Sequence, residues 1–250
     1  MIAFSKIQPK GPILVARDSR SHGSQLIDIA CTALALSGRD VINCDIIPTP
    51  SAQFLIEKND YSGGIVITAS HNPTEWNGIK FIDHDGCFLN QNHNLKLFKI
   101  ADEYSSLNKT SKGLISVHKD PIKAHINHTI NLSAINKTNI KKMNFKVVVD
   151  AVNGAASKAL PLMLKELGCE VIKINCEPNG IFPRGAEPLP EHLNQLSNTV
   201  KEFNADVGFA TDPDGDRLAI VDELGKPIGE EYTLTICADG VLSDTNNKNP

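Results

Sequence analysis

Apolar runs of strand length recur along this chain and are separated, almost every time, by stretches with helical periodicity. Residues 12–16, 41–47 and 64–68 read as strands, and residues 24–37 and 51–58 as the helices between them. A strand that is apolar at nearly every position has to be covered on both faces. The alternation therefore predicts a largely parallel sheet with right-handed crossovers, enclosed by helices. Residues 78–83 add a further strand, Asp83-His84-Asp85-Gly86 turns the chain into Cys87-Phe88-Leu89 as a hairpin, and residues 90–104 complete the unit as a helix.

Between residues 105 and 116 the composition turns to Ser, Asn, Lys, Thr and Gly, which offers little to pack and marks a boundary. Beyond it a helix over 121–137 leads into a second alternation: strand 146–150, helix 155–167, strand 170–174, helix 190–203 and strand 206–210. Pro161 removes one internal hydrogen bond from its helix, so a kink or a later start is expected there. Residues 218–221 and 226–228 flank Asp222-Glu223-Leu224-Gly225 as a hairpin, and 230–242 turns helical. The expected fold class is α/β: two consecutive α/β domains with mixed, largely parallel sheets covered by helices. They span 1–118 and 119–228, and 229–250 begins a third.

The composition narrows the function classes. Of 250 residues, 41% are hydrophobic and 22% charged, which is an ordinary globular balance. The net charge of −4 is spread over interspersed acids and bases, so no basic stripe exists for nucleic acid and no polybasic patch for a membrane surface. The sequence contains no apolar run of spanning length and no secretory leader pattern, and a cytoplasmic location is expected. Cys31, Cys44, Cys87, Cys169, Cys176 and Cys237 lack C-x-x-C spacing and are expected as free, buried thiols.

Chemistry concentrates in Asp212-Pro213-Asp214-Gly215-Asp216-Arg217, which places three carboxylates at every second position and an arginine directly after them. Two carboxylates held ~5 Å apart at an effective dielectric of ~20 repel by about 3 kcal/mol, so the cluster calls for a cation. Oxygen ligands from a tight turn suit Mg²⁺, which commonly shares its shell with phosphate oxygens. Arg217 would then face the phosphate. Other readings are a solvated acidic turn, a calcium EF-hand loop and a haloacid-dehalogenase-type phosphatase motif. The EF-hand reading fails because Arg217 stands where that loop needs glycine. The phosphatase reading fails because too little chain follows Asp216 to complete such a domain.

A second loop, Thr68-Ala69-Ser70-His71-Asn72-Pro73, follows the apolar Ile65-Val66-Ile67 and puts a hydroxyl at the carboxyl end of a strand. Ligands of open α/β sheets bind at such ends. An ordinary turn would use the same residue types. Together the two loops resemble the signature pair of the α-D-phosphohexomutases. Arg17-Asp18-Ser19-Arg20, Pro48-Thr49-Pro50, Trp76-Asn77-Gly78-Ile79-Lys80-Phe81 and the stretch from Phe182-Pro183 to Glu187-Pro188 extend the resemblance over nearly the whole chain.

The resemblance implies that Ser70 carries a phosphoryl group, gives it to a hexose monophosphate and recovers it from a hexose 1,6-bisphosphate. The net effect moves phosphate between C6 and C1 of glucose, mannose or glucosamine phosphate. It also implies Mg²⁺ held by Asp212, Asp214, Asp216 and the Ser70 phosphate, with Lys80, His71, Arg217 and Arg17 as catalytic residues and Arg20 and Asn72 as phosphate-binding ones. Family members usually have four domains and a glycine-rich segment before the first strand, which residues 1–12 lack. The sugar-reading and remote phosphate-binding loops of the later domains are absent, so the chain alone is expected to be weak or inactive. The contrasting expectation is a non-catalytic phosphate- or metal-binding fragment or interaction module, and a weaker one is a sugar phosphatase.

Overall fold

The computed structural model describes residues 1–103, 112–229 and 231–243. The chain divides into two units, Met1–Ala69 with Glu75–His125, and Ser70–Thr74 with Ile126–Pro250.

In the first unit a short helix α1 (Ile2–Ile7) precedes β1 (Ile13–Arg17), α2 (Gly23–Leu36), β2 (Val41–Ile46), α3 (Thr49–Lys58) and β3 (Gly64–Ile67). After these come β4 (Ile79–Ile82), α4 (Gln91–Asp102) and β5 (Ile115–Val117). The sheet order is β4-β3-β1-β2-β5. β1 lies parallel between β2 and β3, whereas β4 runs antiparallel to β3 with Ile65 opposite Phe81. Alternate residues of the central strands feed two cores, as strand geometry requires. Ile13, Val15, Ile65 and Ile67 pack with Phe4, Ile27, Leu34 and Leu97, while Leu14, Ala16 and Val66 pack with Ala52, Leu55 and Ile56.

Between the units runs α5 (Pro121–Thr129), and α6 (Lys137–Met143) follows. The second unit then alternates β6 (Lys146–Asp150), α7 (Ala156–Glu166), β7 (Glu170–Ile174), α8 (Asn194–Phe203), β8 (Val207–Thr211) and β9 (Leu218–Val221), with α9 (Glu231–Leu242) last. Its order is β7-β6-β8-β9, with β6 parallel to β7 and β8 and β9 antiparallel to β8. Leu193, Leu196 and Val200 cover one face of the sheet against Val148, Ala210 and Val221, and Leu164 covers the other against Val147 and Val149.

Several expectations change. The helix expected over 121–137 stops at Thr129, and a separate helix, α6, starts at Lys137, where the Asn136 side chain accepts the Asn139 amide as its cap. The helix expected from residue 190 opens as a 3-10 turn, Pro190–His192, before α8. Pro161 lies buried inside α7, which starts at Ala156 and runs on past it. Residues 115–117, placed in the linker by composition, form an edge strand against β2, and β5 is exposed along its length. Residues 105–111 of that linker lie outside the described residues, as do 104 and 230 at the ends of the expected helices. Helix α1 had no expectation at all. The six cysteines are free, but only Cys31 and Cys44 are buried; Cys169 and Cys176 are half-buried and Cys87 and Cys237 exposed, contrary to the expectation that all would be buried. No helix of the described residues is long and apolar enough to cross a membrane.

Phe4 ties α1 to the first unit: it is wholly buried and its ring lies 5.0 Å from that of Phe81. Phe4→Ala should cost about 3–5 kcal/mol of unfolding free energy, measured by urea denaturation. A loss well below 1 kcal/mol would show that α1 does not belong to this core.

Candidate metal and phosphate site

The last two residues of β8, Ala210 and Thr211, are buried; Asp212 enters the loop with no exposed surface, and Asp214 is buried as completely. The loop curls around the first of these carboxylates. The backbone amides of Asp216 and Arg217 both donate to Asp212 Oδ1 at 3.1 Å, and the Gly215 amide donates to the Asp212 carbonyl at 3.1 Å. Gly215 has φ +70°, a left-handed conformation that glycine adopts without strain. Oδ2 of Asp212 accepts a hydrogen bond from Ser70 Oγ at 3.0 Å.

One ligand atom from each of Asp212, Asp214 and Asp216 falls within 4.8 Å of the others. Burial, and next the charges of Asp214 and Asp216, push the Asp212 carboxyl up to about 8. Three carboxylates gathered so closely are a poor arrangement unless a cation or a proton compensates them. The donor set, all hard carboxylate oxygen and partly open on the Asp216 side, fits a divalent ion of the magnesium type.

Ser70 sits at φ +50°, an uncommon conformation for a residue with a side chain and one that marks a held loop. It belongs with Ser70–Thr74 to the second unit. Beside it His71 Nδ1 is buried and has no hydrogen-bond partner among the described residues, and Asn72 is exposed. Arg217 points its guanidinium to Glu187, Nη1 to Oε1 at 2.6 Å. The structure thus gathers Ser70, its two neighbours, the three aspartates and Arg217 into one unit.

Arg17, Arg20 and Lys80 belong to the other unit. Arg17 pairs with Asp45 at 2.7 Å and donates to the Asp18 carbonyl at 3.1 Å. Arg20 is fully buried and pairs with Asp18, whose carboxylate also accepts from Thr68 Oγ1 at 2.7 Å. As placed, Arg20 helps to fix the loop after β1 to the end of β3. The Lys80 ammonium lies 5.6 Å from the centre of the Phe88 ring.

Sequence reading gave no role to Gly154 or Asp150, nor to Arg184 and Glu187, although both of the latter lie in the stretch 182–188 that carries part of the resemblance. A Cβ built on Gly154 would stand 2.5 Å from the Pro213 carbonyl oxygen, so this glycine permits the metal loop to lie against the turn after β6. The signal available was the Asn153-Gly154 pair directly after an apolar strand. Nothing beyond its place in that stretch marks Arg184 off from surface arginines.

Two α/β units, one of them carrying three clustered carboxylates with a serine hydroxyl hydrogen-bonded to the first, define an α/β class of protein with an arrangement that could hold a cation beside a hydroxyl. The family described as phosphoglucomutase/phosphomannomutase, alpha/beta/alpha domain I matches residues 1–108, and its alpha/beta/alpha domain II matches residues 123–225. The chain belongs to this phosphoglucomutase/phosphomannomutase family. It is 38% identical over 240 residues to a phosphoglucomutase/phosphomannomutase of Thermococcus kodakarensis, covering 93% of this chain and 51% of the relative. It is 35% identical over 243 residues to a probable phosphoglucosamine mutase of Pyrococcus horikoshii, covering 96% and 52%. A crystal structure of a phosphoglucomutase/phosphomannomutase family protein from Burkholderia thailandensis superposes with a TM-score of 0.81 at 28% identity, covering 96% of this chain and 53% of that one. The chain spans about half the length of the curated relatives it matches.

Gly154→Ala should force the Pro213 backbone to move and cost about 1–3 kcal/mol, the usual penalty of overpacking. Thermal and urea denaturation of the variant measure it. Unchanged stability would show that the turn and the metal loop can part freely.

Proposed function

We propose that this chain is the phosphoryl-carrying and cation-holding half of a magnesium-dependent phosphohexomutase. The observation that carries the reading is the Ser70 hydroxyl bonded to Asp212 of a buried three-carboxylate cluster. Membership of the family supports it.

In this reading Ser70 is a phosphoserine. Its ester oxygen leaves as the bond from phosphorus to Oγ breaks, while a bond from phosphorus to a hydroxyl oxygen of a hexose monophosphate forms. The hydroxyl proton passes to a base, for which Lys80 or His71 is the candidate. The resulting hexose 1,6-bisphosphate returns its other phosphoryl group to Ser70 Oγ, and the net reaction is an isomerisation between the 1- and 6-phosphates. Transfer of this kind needs in-line positioning and charge stabilisation more than covalent help from the protein.

The chain's residues divide those tasks. The amides of Asp216 and Arg217 fix one oxygen of Asp212 and leave the other facing Ser70. A phosphoserine adds about −1.5 to −2 charges beside carboxylates that already repel one another, so the loaded state is the one that most needs compensation. Mg²⁺ bound to Asp212, Asp214 and Asp216 would supply that neutralisation. Arg217 adds a second positive charge once its guanidinium exchanges the Glu187 carboxylate for phosphate. Recognition of the sugar and of its non-reacting phosphate is assigned to the remaining half of the relatives' length. Binding energy from a remote phosphate orients the reacting end, so the chain alone should lose turnover as well as affinity.

Two measurements test this reading. Intact mass of the chain treated with a hexose 1,6-bisphosphate should show an adduct of about 80 Da that Ser70→Ala abolishes. An adduct that persists in that variant would move the phosphosite elsewhere. Mg²⁺ at about 100 times its Kd should raise the unfolding free energy by about 2.7 kcal/mol. Asp214→Asn should remove most of that gain, and an undiminished gain would strip Asp214 of its ligand role.

A further inference from the structure

Behind the aspartate loop lies a buried ion pair that the proposed chemistry does not use. Asp150, the last residue of β6, is fully buried, and its Oδ2 accepts from Arg184 Nε at 2.9 Å and from Asn175 Nδ2 at 3.1 Å. The same guanidinium reaches the adjacent strand. Arg184 Nη2 donates to the carbonyl of Thr211, the residue immediately before Asp212, at 2.6 Å. Arg184 is itself only 4% exposed at its side chain.

A second arm of this arrangement runs through the turn after β6. Val152 and Asn153 stand at φ +47° and +56°, and a β-branched residue in the left-handed region is strained unless its surroundings hold it there. They do hold it. Asp150 Oδ1 accepts the Val152 amide at 2.9 Å, Asn153 donates to the Ile181 carbonyl at 2.9 Å, and its Oδ1 accepts the Glu177 amide at 2.9 Å. The turn then delivers the Ala155 amide to the Pro213 carbonyl at 2.7 Å. Thr211 and Pro213, the two residues that flank Asp212, are therefore each gripped through their carbonyl oxygens, and both grips trace back to Asp150.

We infer that the Asp150–Arg184 pair is a positioning device for the cation site, and that Arg184 sets divalent-ion affinity without touching the ion. The inference rests on the reading that Asp212, Asp214 and Asp216 hold such an ion. Fixing both neighbours of Asp212 keeps its carboxylate in place against repulsion from the other two, so the site is formed before the ion arrives. Partners behind the ligands of a metal commonly alter its affinity by about 10–100-fold when removed.

Mn²⁺ is the probe, titrated into the 250-residue chain by calorimetry, with hydrogen exchange of the metal-free chain as a second readout. Arg184→Met should weaken Mn²⁺ binding by about 10–100-fold. It should also speed exchange at the amides of Asp216 and Arg217, which depend on the placement of Asp212, while leaving the β6–β7 ladder protected. Arg184→Lys keeps the charge but not the fork that spans two strands, and should recover little of either. Because Arg184→Met leaves Asp150 buried and unpaired, the double variant Asp150→Asn/Arg184→Met removes both charges and should show the same local losses in a folded chain. Wild-type Mn²⁺ affinity with unchanged exchange in these variants would overturn this inference alone. A wild-type chain that binds no Mn²⁺ would sink the cation reading and this inference together.

Discussion

Mutual repulsion among Asp212, Asp214 and Asp216 is the constraint on which the second unit is organised. Water would dissipate it, yet two of the three carboxylates have no exposed surface. The protein instead applies dipoles. Two consecutive backbone amides converge on one oxygen of Asp212, and a left-handed glycine provides the curvature that aims them. Residual strain on the acid is visible in how far burial raises it, to about 8. A cluster in this condition is relieved by a proton or by a cation.

The first unit solves a related problem in a different way. Asp18 and Arg20 are buried together after β1, and Thr68 at the end of β3 shares the same carboxylate. This neutral cluster locks the carboxyl ends of two neighbouring strands from which the serine loop departs. Ser70 itself stands in a conformation that side chains seldom adopt and that its surroundings have to hold.

Much of the architecture was legible in the sequence because apolar strands and amphipathic helices alternate with clear punctuation. The central strands, the edge strands β4 and β9 and the two loops fall where that pattern puts them, but the hairpin partners expected at 87–89 and 226–228 are reduced to single bridges, Ile82 to Phe88 and Val221 to Pro227, and β4 and β9 pair instead with β3 and β8. What escaped detection has physical reasons. Strand β5 is short, exposed and preceded by polar residues, so it carries no burial signature. The start of α6 is marked by a single capping asparagine, Asn136. Helix α1 is six residues long, and its anchoring by Phe4 is a tertiary fact. At the site, ligand residue types announce themselves by spacing, whereas Arg184 and Asp150 act through partners distant in sequence. The resemblance singled out Ser70 and the aspartates because their motifs are specific, and the structure brings them together; a residue that braces a loop through a carbonyl leaves no such mark.

The strand orders β4-β3-β1-β2 and β9-β8-β6-β7 trace the same path. In each, the loop of interest leaves a parallel strand, β3 or β8, and returns as an antiparallel edge strand, β4 or β9. The serine and the aspartates therefore occupy equivalent stations of two copies of one design, although no repeat is evident between their residues. Two outlets of one shape thus carry different loop compositions, a hydroxyl in one and three carboxylates in the other, so one frame of strands accommodates either chemistry without a change of path.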